Sequence, residues 1–179
     1  MHERGIVTAL AVFIATSLDG YIASADGSID WLEQAGVAGE DYGFDTFLDS
    51  VDALAMGRGT YDHIASLEPL PFGDRPLFVF THRPPAPRAG VTFVSWSPSE
   101  ALEHWVTAGL ARVYVDGGRV VSDFLAAGLI DELTITTVPL LLGHGRPLFH
   151  PIGVSTRLRL ATTRAWPSGM TQATYERAD

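Results

Sequence analysis

The sequence predicts an α/β fold: a mixed, mostly parallel sheet with helices on both faces and an antiparallel hairpin at the C-terminus. Three observations predict it. Short apolar runs rich in β-branched and aromatic residues recur along the chain, stretches of helical periodicity alternate with them, and the final segment changes to polar–apolar alternation around a turn. With 179 residues, 46% of them apolar, the chain is expected to form one domain over 1–179 and to bury about two thirds of its surface.

The first strand is expected at 10–16. The apolar run from Ile6 to Ala15 behind Arg4 has the outline of a signal peptide, but it is too short to span a bilayer. It also passes directly into Leu18-Asp19-Gly20-Tyr21-Ile22, a turn followed by another apolar segment, so a buried first strand is the better reading. Asp19-Gly20 and Asp26-Gly27 read as turns. A helix over 41–51 would place Phe44, Phe47, Leu48 and Val51 on one face. Strands follow at 53–56 and 77–81, then a loop over 83–90 in which Pro84, Pro85 and Pro87 forbid regular structure, then a strand at 91–95. Ser97 and Glu100 mark the start of a helix over 98–108. A strand at 112–115 leads through Gly117-Gly118 to a helix over 120–127 that stops at Gly128. The strand at 133–138 precedes the hairpin, whose arms 155–166 and 171–177 flank Pro167-Ser168-Gly169.

Charge and composition exclude several functions. Twelve basic residues against 21 acidic ones leave a net charge of −9, the wrong sign for a nucleic-acid surface or an anionic membrane. Without cysteine there is no disulfide, thiolate nucleophile, Cys-ligated zinc or iron–sulfur cluster, which agrees with a cytoplasmic location. The six histidines have no ligand spacing, so no metal site is expected, and no G-x-S-x-G elbow is present.

Glycine marks three places where a strand is expected to pass into a helix: Met56-Gly57-Arg58-Gly59-Thr60-Tyr61, Asp116-Gly117-Gly118-Arg119 and, less regularly, Leu142-Gly143-His144-Gly145-Arg146. In open α/β sheets ligands sit beyond the carboxyl ends of the strands, where helix N-termini offer free N–H groups, and the first two junctions with their arginines suit a pyrophosphate. Either junction by itself reads better as a turn beside a solvated arginine. The dinucleotide fingerprint is absent, because Asp62 stands where its third glycine is required, and so is the Walker lysine. Thr81, His82 and Arg83 at the end of the third main strand combine hydroxyl, imidazole and guanidinium, a set able to grip a monoester phosphate or simply to mark a turn. Among the early carboxylates, Asp41 and Asp45 precede an aromatic helix face and are the candidates for anchoring a substrate or supplying a proton.

Taken in order, Ala11 to Ala23, Ala55 to Tyr61, Phe78 to Arg83, Tyr114 to Gly118 and Pro139 to Gly143 resemble the dihydrofolate reductase-like superfamily. The resemblance is nearest to stand-alone relatives of the C-terminal reductase domain of the bifunctional riboflavin-biosynthesis deaminase-reductase. It implies a three-layer αβα fold and an NADPH site across the carboxyl edge of the sheet. Ala15 would meet the nicotinamide carboxamide and Ile22 would pack near the ring. Gly57, Arg58 and Thr60 would hold one side of the pyrophosphate and Gly117, Gly118, Arg119 and Val120 the other. Thr81, His82 and Arg83 match the position that reads the 2′-phosphate, favouring NADP over NAD. The substrate side departs from the family, since Gly59-Thr60-Tyr61-Asp62-His63-Ile64 lacks the acidic run of the pyrimidine reductase and no zinc motif of a deaminase is present.

The implied activity is hydride transfer to a C=N or C=O of a small heterocycle, either pteridine or dihydrofolate-like or 5-amino-6-(5-phosphoribosylamino)uracil-like, under a dry roof of Phe13, Trp31 and Phe47. Trp31 is equally well a core residue. Two readings stand beside it: a nucleotide-binding or sensing module without turnover, motivated by the lack of an unambiguous proton donor, and an α/β domain with no nucleotide site. A homodimer is expected from the apolar stretch 133–142 and the hairpin after it, as is common in the resembled group.

Overall fold

A computed structural model of the chain describes residues 7–178; Arg4 and Ile6, at the start of the run assigned to the first strand, lie outside the described residues. Six parallel strands carry the architecture. In chain order they are joined by β1 (Ala9–Ser17), β2 (Tyr21–Ala23), α1 (Asp30–Ala35), α2 (Phe44–Asp49), β3 (Ala53–Gly57), α3 (Arg58–Ile64), β4 (Leu77–Phe80), β5 (Val91–Val94), α4 (Pro98–Thr107), β6 (Arg112–Asp116), α5 (Gly118–Ala126), β7 (Glu132–Val138), β8 (Arg146–Pro147), β9 (Leu158–Ala165) and β10 (Thr171–Arg177). The eight-stranded sheet has the order β5-β4-β3-β6-β1-β7-β10-β9, and β2 pairs with β8 in a separate ribbon. Pairings within β5 to β7 are parallel, while β10 runs antiparallel to both β7 and β9.

The central strands are apolar on both faces because both faces are covered. On one side α4 and α5 bury Trp105, Val121 and Phe124 against Leu10, Val12, Ala53 and Val115. The Trp105 and Phe124 rings stack there with centroids 5.7 Å apart. On the other side Phe47 and Tyr61, from α2 and α3, pack on Leu54, Met56 and Tyr114. These are the three layers expected. The start of α4 carries a capping box, with the Glu100 N–H donating to Ser97 Oγ at 3.3 Å and the Ser97 N–H to Glu100 Oε2 at 2.7 Å.

Several boundaries differ from expectation for local reasons. The helix expected over 41–51 is only Phe44–Asp49, because Tyr42 (φ 55°) and Gly43 (φ 87°) are left-handed. Asp41 caps that turn instead, accepting the N–H groups of Gly43 at 3.0 Å and Asp45 at 2.9 Å. The helix after β6 already includes Gly118 and Arg119, and the hairpin arm expected from 155 begins at Leu158. No helix follows Leu142-Gly143-His144-Gly145-Arg146. That segment turns into β8, which pairs with β2 and closes over the carboxyl edge of the sheet.

Candidate active site

The strand order creates the site. β3 and β6 are adjacent and parallel, yet β3 continues into α3 on one face while β6 continues into α5 on the other. Their carboxyl ends therefore open into a crevice, as at the switch point of any doubly wound sheet. A cleft of about 800 Å³ occupies it. The ends of β1, β3 and β6 form its floor and the β2–β8 ribbon one wall.

Ten of the residues singled out in the sequence line this cleft: Phe13, Ala15, Ile22, Asp41, Gly57, Thr60, Gly117, Gly118, Arg119 and Val120. The helices meet closely here, since a Cβ on Gly117 (φ 88°) would lie 2.7 Å from Thr60 Oγ1. At Gly118 the lack of a side chain serves the protein itself: a Cβ would stand 2.3 Å from the Pro147 carbonyl oxygen. Glycine at this position thus lets α5 pass under β8, a reason the sequence did not reveal.

Seven others lie outside the cleft. Phe47 is buried behind Phe13, stacked at 4.9 Å, and edge-on to Tyr114 at 5.0 Å. Trp31 is in the core with Val138, Trp166 and Met170, so the roof expected from Phe13, Trp31 and Phe47 reduces to Phe13. Asp45 is exposed at the surface. Arg58 is bound to Asp62 at 2.6 Å and donates to the Arg83 carbonyl at 3.0 Å. It thereby ties the start of α3 to the loop of Thr81, His82 and Arg83, which continues the carboxyl edge beyond the cleft wall, with His82 and Arg83 exposed.

The acids of the cleft divide in their chemistry. The backbone N–H groups of Gly43 and Asp45 hold the Asp41 carboxyl below the usual carboxylate range, with Arg164 adding to the effect. Asp41 is therefore ionised and suits an anchor better than a proton donor. Asp116 behaves oppositely. Loss of water around it pushes its pKa up to about 6, against the Gly117 N–H, which donates to Asp116 Oδ1 at 2.7 Å. The same burial raises the Tyr114 hydroxyl well above its ordinary value, and that hydroxyl donates to the Phe13 carbonyl at 2.8 Å.

Asp116 and Arg146 were not among the sequence candidates. Each stands in a glycine motif noted there, and only the folded chain turns them inward. Arg146 projects from β8 so that a Cβ on Gly27 would lie 2.9 Å from its guanidinium carbon and one on Gly59 3.5 Å from Nη1. Its guanidinium has no hydrogen-bond or ion-pair partner among the described residues and faces the cleft.

The family model of the RibD C-terminal domain matches residues 70–172. The uncharacterised protein YwjB of Bacillus subtilis (strain 168) is 38% identical over 170 residues, which cover 93% of this chain and 97% of that protein. A crystal structure of a Shewanella sp. PV-4 protein named for riboflavin biosynthesis superposes with a TM-score of 0.88 at 36% identity, over 96% of this chain and 99% of that one. Dihydrofolate reductase of Enterococcus faecalis, solved with NADP(H), shares the fold at a TM-score of 0.65 and 20% identity, over 96% of this chain and 97% of that one. The chain belongs to the RibD C-terminal domain family, and its fold is that of dihydrofolate reductase.

Proposed function

We propose that the cleft holds NADPH and that the protein is a cytoplasmic reductase adding a hydride and a proton across a C=N or C=O bond of a small heterocyclic substrate. The observation that carries this reading is the crevice between β3 and β6, where neighbouring parallel strands send their helices to opposite faces. Its residues fit an elongated ligand with one phosphate-bearing end. Arg119, Arg146, Thr60 and the first N–H groups of α5 bring positive charge and donors together. Ile14, Ala15 and Ile22 add an apolar floor for a flat ring. Membership of the RibD C-terminal domain family and the likeness to a fold solved with NADP(H) support the same cofactor.

When bound, NADPH would supply the hydride. The chain's own work is to orient, to exclude water and to hold a proton. Ala15 and Ile22, both in the cleft lining, would hold the nicotinamide end of the cofactor. Asp116, with its pKa near 6, is protonated in about a tenth of molecules at pH 7 and is the group we assign to protonate the substrate heteroatom. A sensing module without turnover was motivated by the lack of such a donor, and Asp116 favours the enzyme over it. Thr81, His82 and Arg83 are the residues we assign to the 2′-phosphate, joined to the cleft through Arg58.

Thermal-shift titration with NADPH, NADP+ and NADH tests the reading, because a ligand of the folded state raises the melting temperature. A rise with NADPH that exceeds the rise with NADH, and that Arg83→Ala reduces, is expected. No rise with any of the three would sink the reductase.

A further inference from the structure

The cleft is positively charged at one end only. The chain contains 12 arginines and no lysine, and the arginines lining the cleft are Arg119 and Arg146, both beside the N-terminal turns of α3 and α5. Arginines elsewhere near the site are committed. Arg75 donates to the Val51 and Phe72 carbonyls and to Asp49, and Arg88 to the Ala65 and Leu67 carbonyls and Glu68. Arg164, whose charge reaches Asp41, lies 4.6 Å over the Trp166 ring.

The opposite end is lined by Phe13, Leu32, Tyr42, Phe44, Ile64 and Phe72. Phe13 and Phe44 form one aromatic wall, their centroids 5.7 Å apart. Tyr42 faces this end from a left-handed backbone position that Gln172 Nε2 secures by donating to its carbonyl at 3.0 Å. Besides the Tyr42 phenol, the titratable side chains on this part of the lining are His63 and the ionised Asp41. A phosphate or carboxylate entering here would lose its water next to aromatic carbon and a like charge, with no guanidinium to replace that water.

We propose that the substrate is a flat, uncharged heterocycle carrying neither phosphate nor carboxylate, held by Phe13, Phe44 and Tyr42, with Asp41 excluding anions. This rests on the reductase reading of the same cleft. A phosphoribosylated pyrimidine is thereby excluded, and so is a ring bearing a carboxylate tail. The bond that changes is a C=N or C=O in that ring or on its substituent: carbon receives the hydride, the heteroatom receives the proton, and NADPH is oxidised to NADP+.

Two matched pairs test it, each contrasting a neutral group with an anion at one position: 5-amino-6-ribosylaminouracil against its 5′-phosphate, and 6-methyl-7,8-dihydropterin against 7,8-dihydropterin-6-carboxylate. Binding of each is measured calorimetrically to the NADP+-loaded and to the cofactor-free protein, and turnover is followed as loss of NADPH absorbance. The anion-free member of at least one pair is expected to bind about tenfold more tightly than its partner. Asp41→Asn, which removes the like charge from the lining while keeping an oxygen for the Gly43 and Asp45 N–H groups, should narrow that ratio. Equal or tighter binding of the anionic members overturns the proposal, and so does binding of neither member of both pairs. Failure of NADPH itself to bind removes the reductase reading instead, and the cofactor-free arm still decides the preference for uncharged rings.

Discussion

Arg146 and Asp116 carry the two residue-level predictions. Arg146 has no partner among the described residues that its removal would orphan, so Arg146→Gln should leave the melting temperature of the free protein unchanged. It should weaken NADPH roughly tenfold or more, as a charge-assisted hydrogen bond contributes about 1.5–3 kcal/mol, and a fluorescence titration reads this. For Asp116, a donor must be protonated, so turnover should fall as pH rises through about 6. Asp116→Asn should lower turnover by about 10² to 10⁴ and remove that limb of the pH–rate profile. Stability has the same sign: a raised carboxyl pKa stabilises the fold at pH below about 4, and that contribution is lost as pH rises through about 6. Unfolding midpoints of the Asn variant should lack this slope. The sequence put Asp116 beside the right glycines, but its role depends on water removed by residues far along the chain.

The elements around the cleft are tied by short-range groups with long-range effects. Asp19, in the turn between β1 and β2, accepts the N–H groups of Leu142 at 3.1 Å and Gly143 at 2.7 Å, and the Ser17 hydroxyl at 2.6 Å. The Ser17 hydroxyl, followed by these amides, holds its carboxyl below the ordinary value. The stabilisation it brings is therefore present above the usual Asp range and lost only as pH falls through its lowered pKa. Asp19→Ala should speed amide exchange at Leu142 and Gly143 and weaken NADPH binding, because the same segment leads into β8 and Arg146. The capping box of α4 is independent of the site. Ser97→Ala should cost about 1 kcal/mol, seen as a lower melting temperature with unaltered NADPH affinity. That cap was legible in the sequence because it lies within four residues. The early end of α2 was not, because Asp41 looks like a helix residue until Tyr42 and Gly43 are seen to be left-handed.

At the scale of the molecule, β9 is the exposed edge of the eight-stranded sheet, and all of its residues after Leu158 are solvent-facing. We propose that a second copy of the chain covers the β9–β10 face, as expected of a homodimer. Light scattering coupled to size exclusion should give twice the chain mass, and Leu160→Glu, at a side chain 52% exposed, should give the monomer; a monomeric wild type defeats the proposal. Within the apolar stretch 133–142, Leu133 and Val138 are buried in the chain's own core, while Leu140 and Leu141 remain exposed. Among the described residues no helix is long and apolar enough to cross a membrane. The sequence by itself determined the strands of the main sheet to within a few residues, the parallel core with its C-terminal hairpin, the capping box and two of the three glycine junctions. These follow from side-chain periodicity and from backbone preferences that act within a few residues. Only the tertiary structure decided that Trp31 and Phe47 are core, that Gly118 makes room for β8, and that Arg146 and Asp116 face the cleft. Each of these depends on atoms many residues away, such as Trp31 against Trp166, Gly118 against Pro147 and Arg146 against Gly27. No local pattern encodes such a meeting.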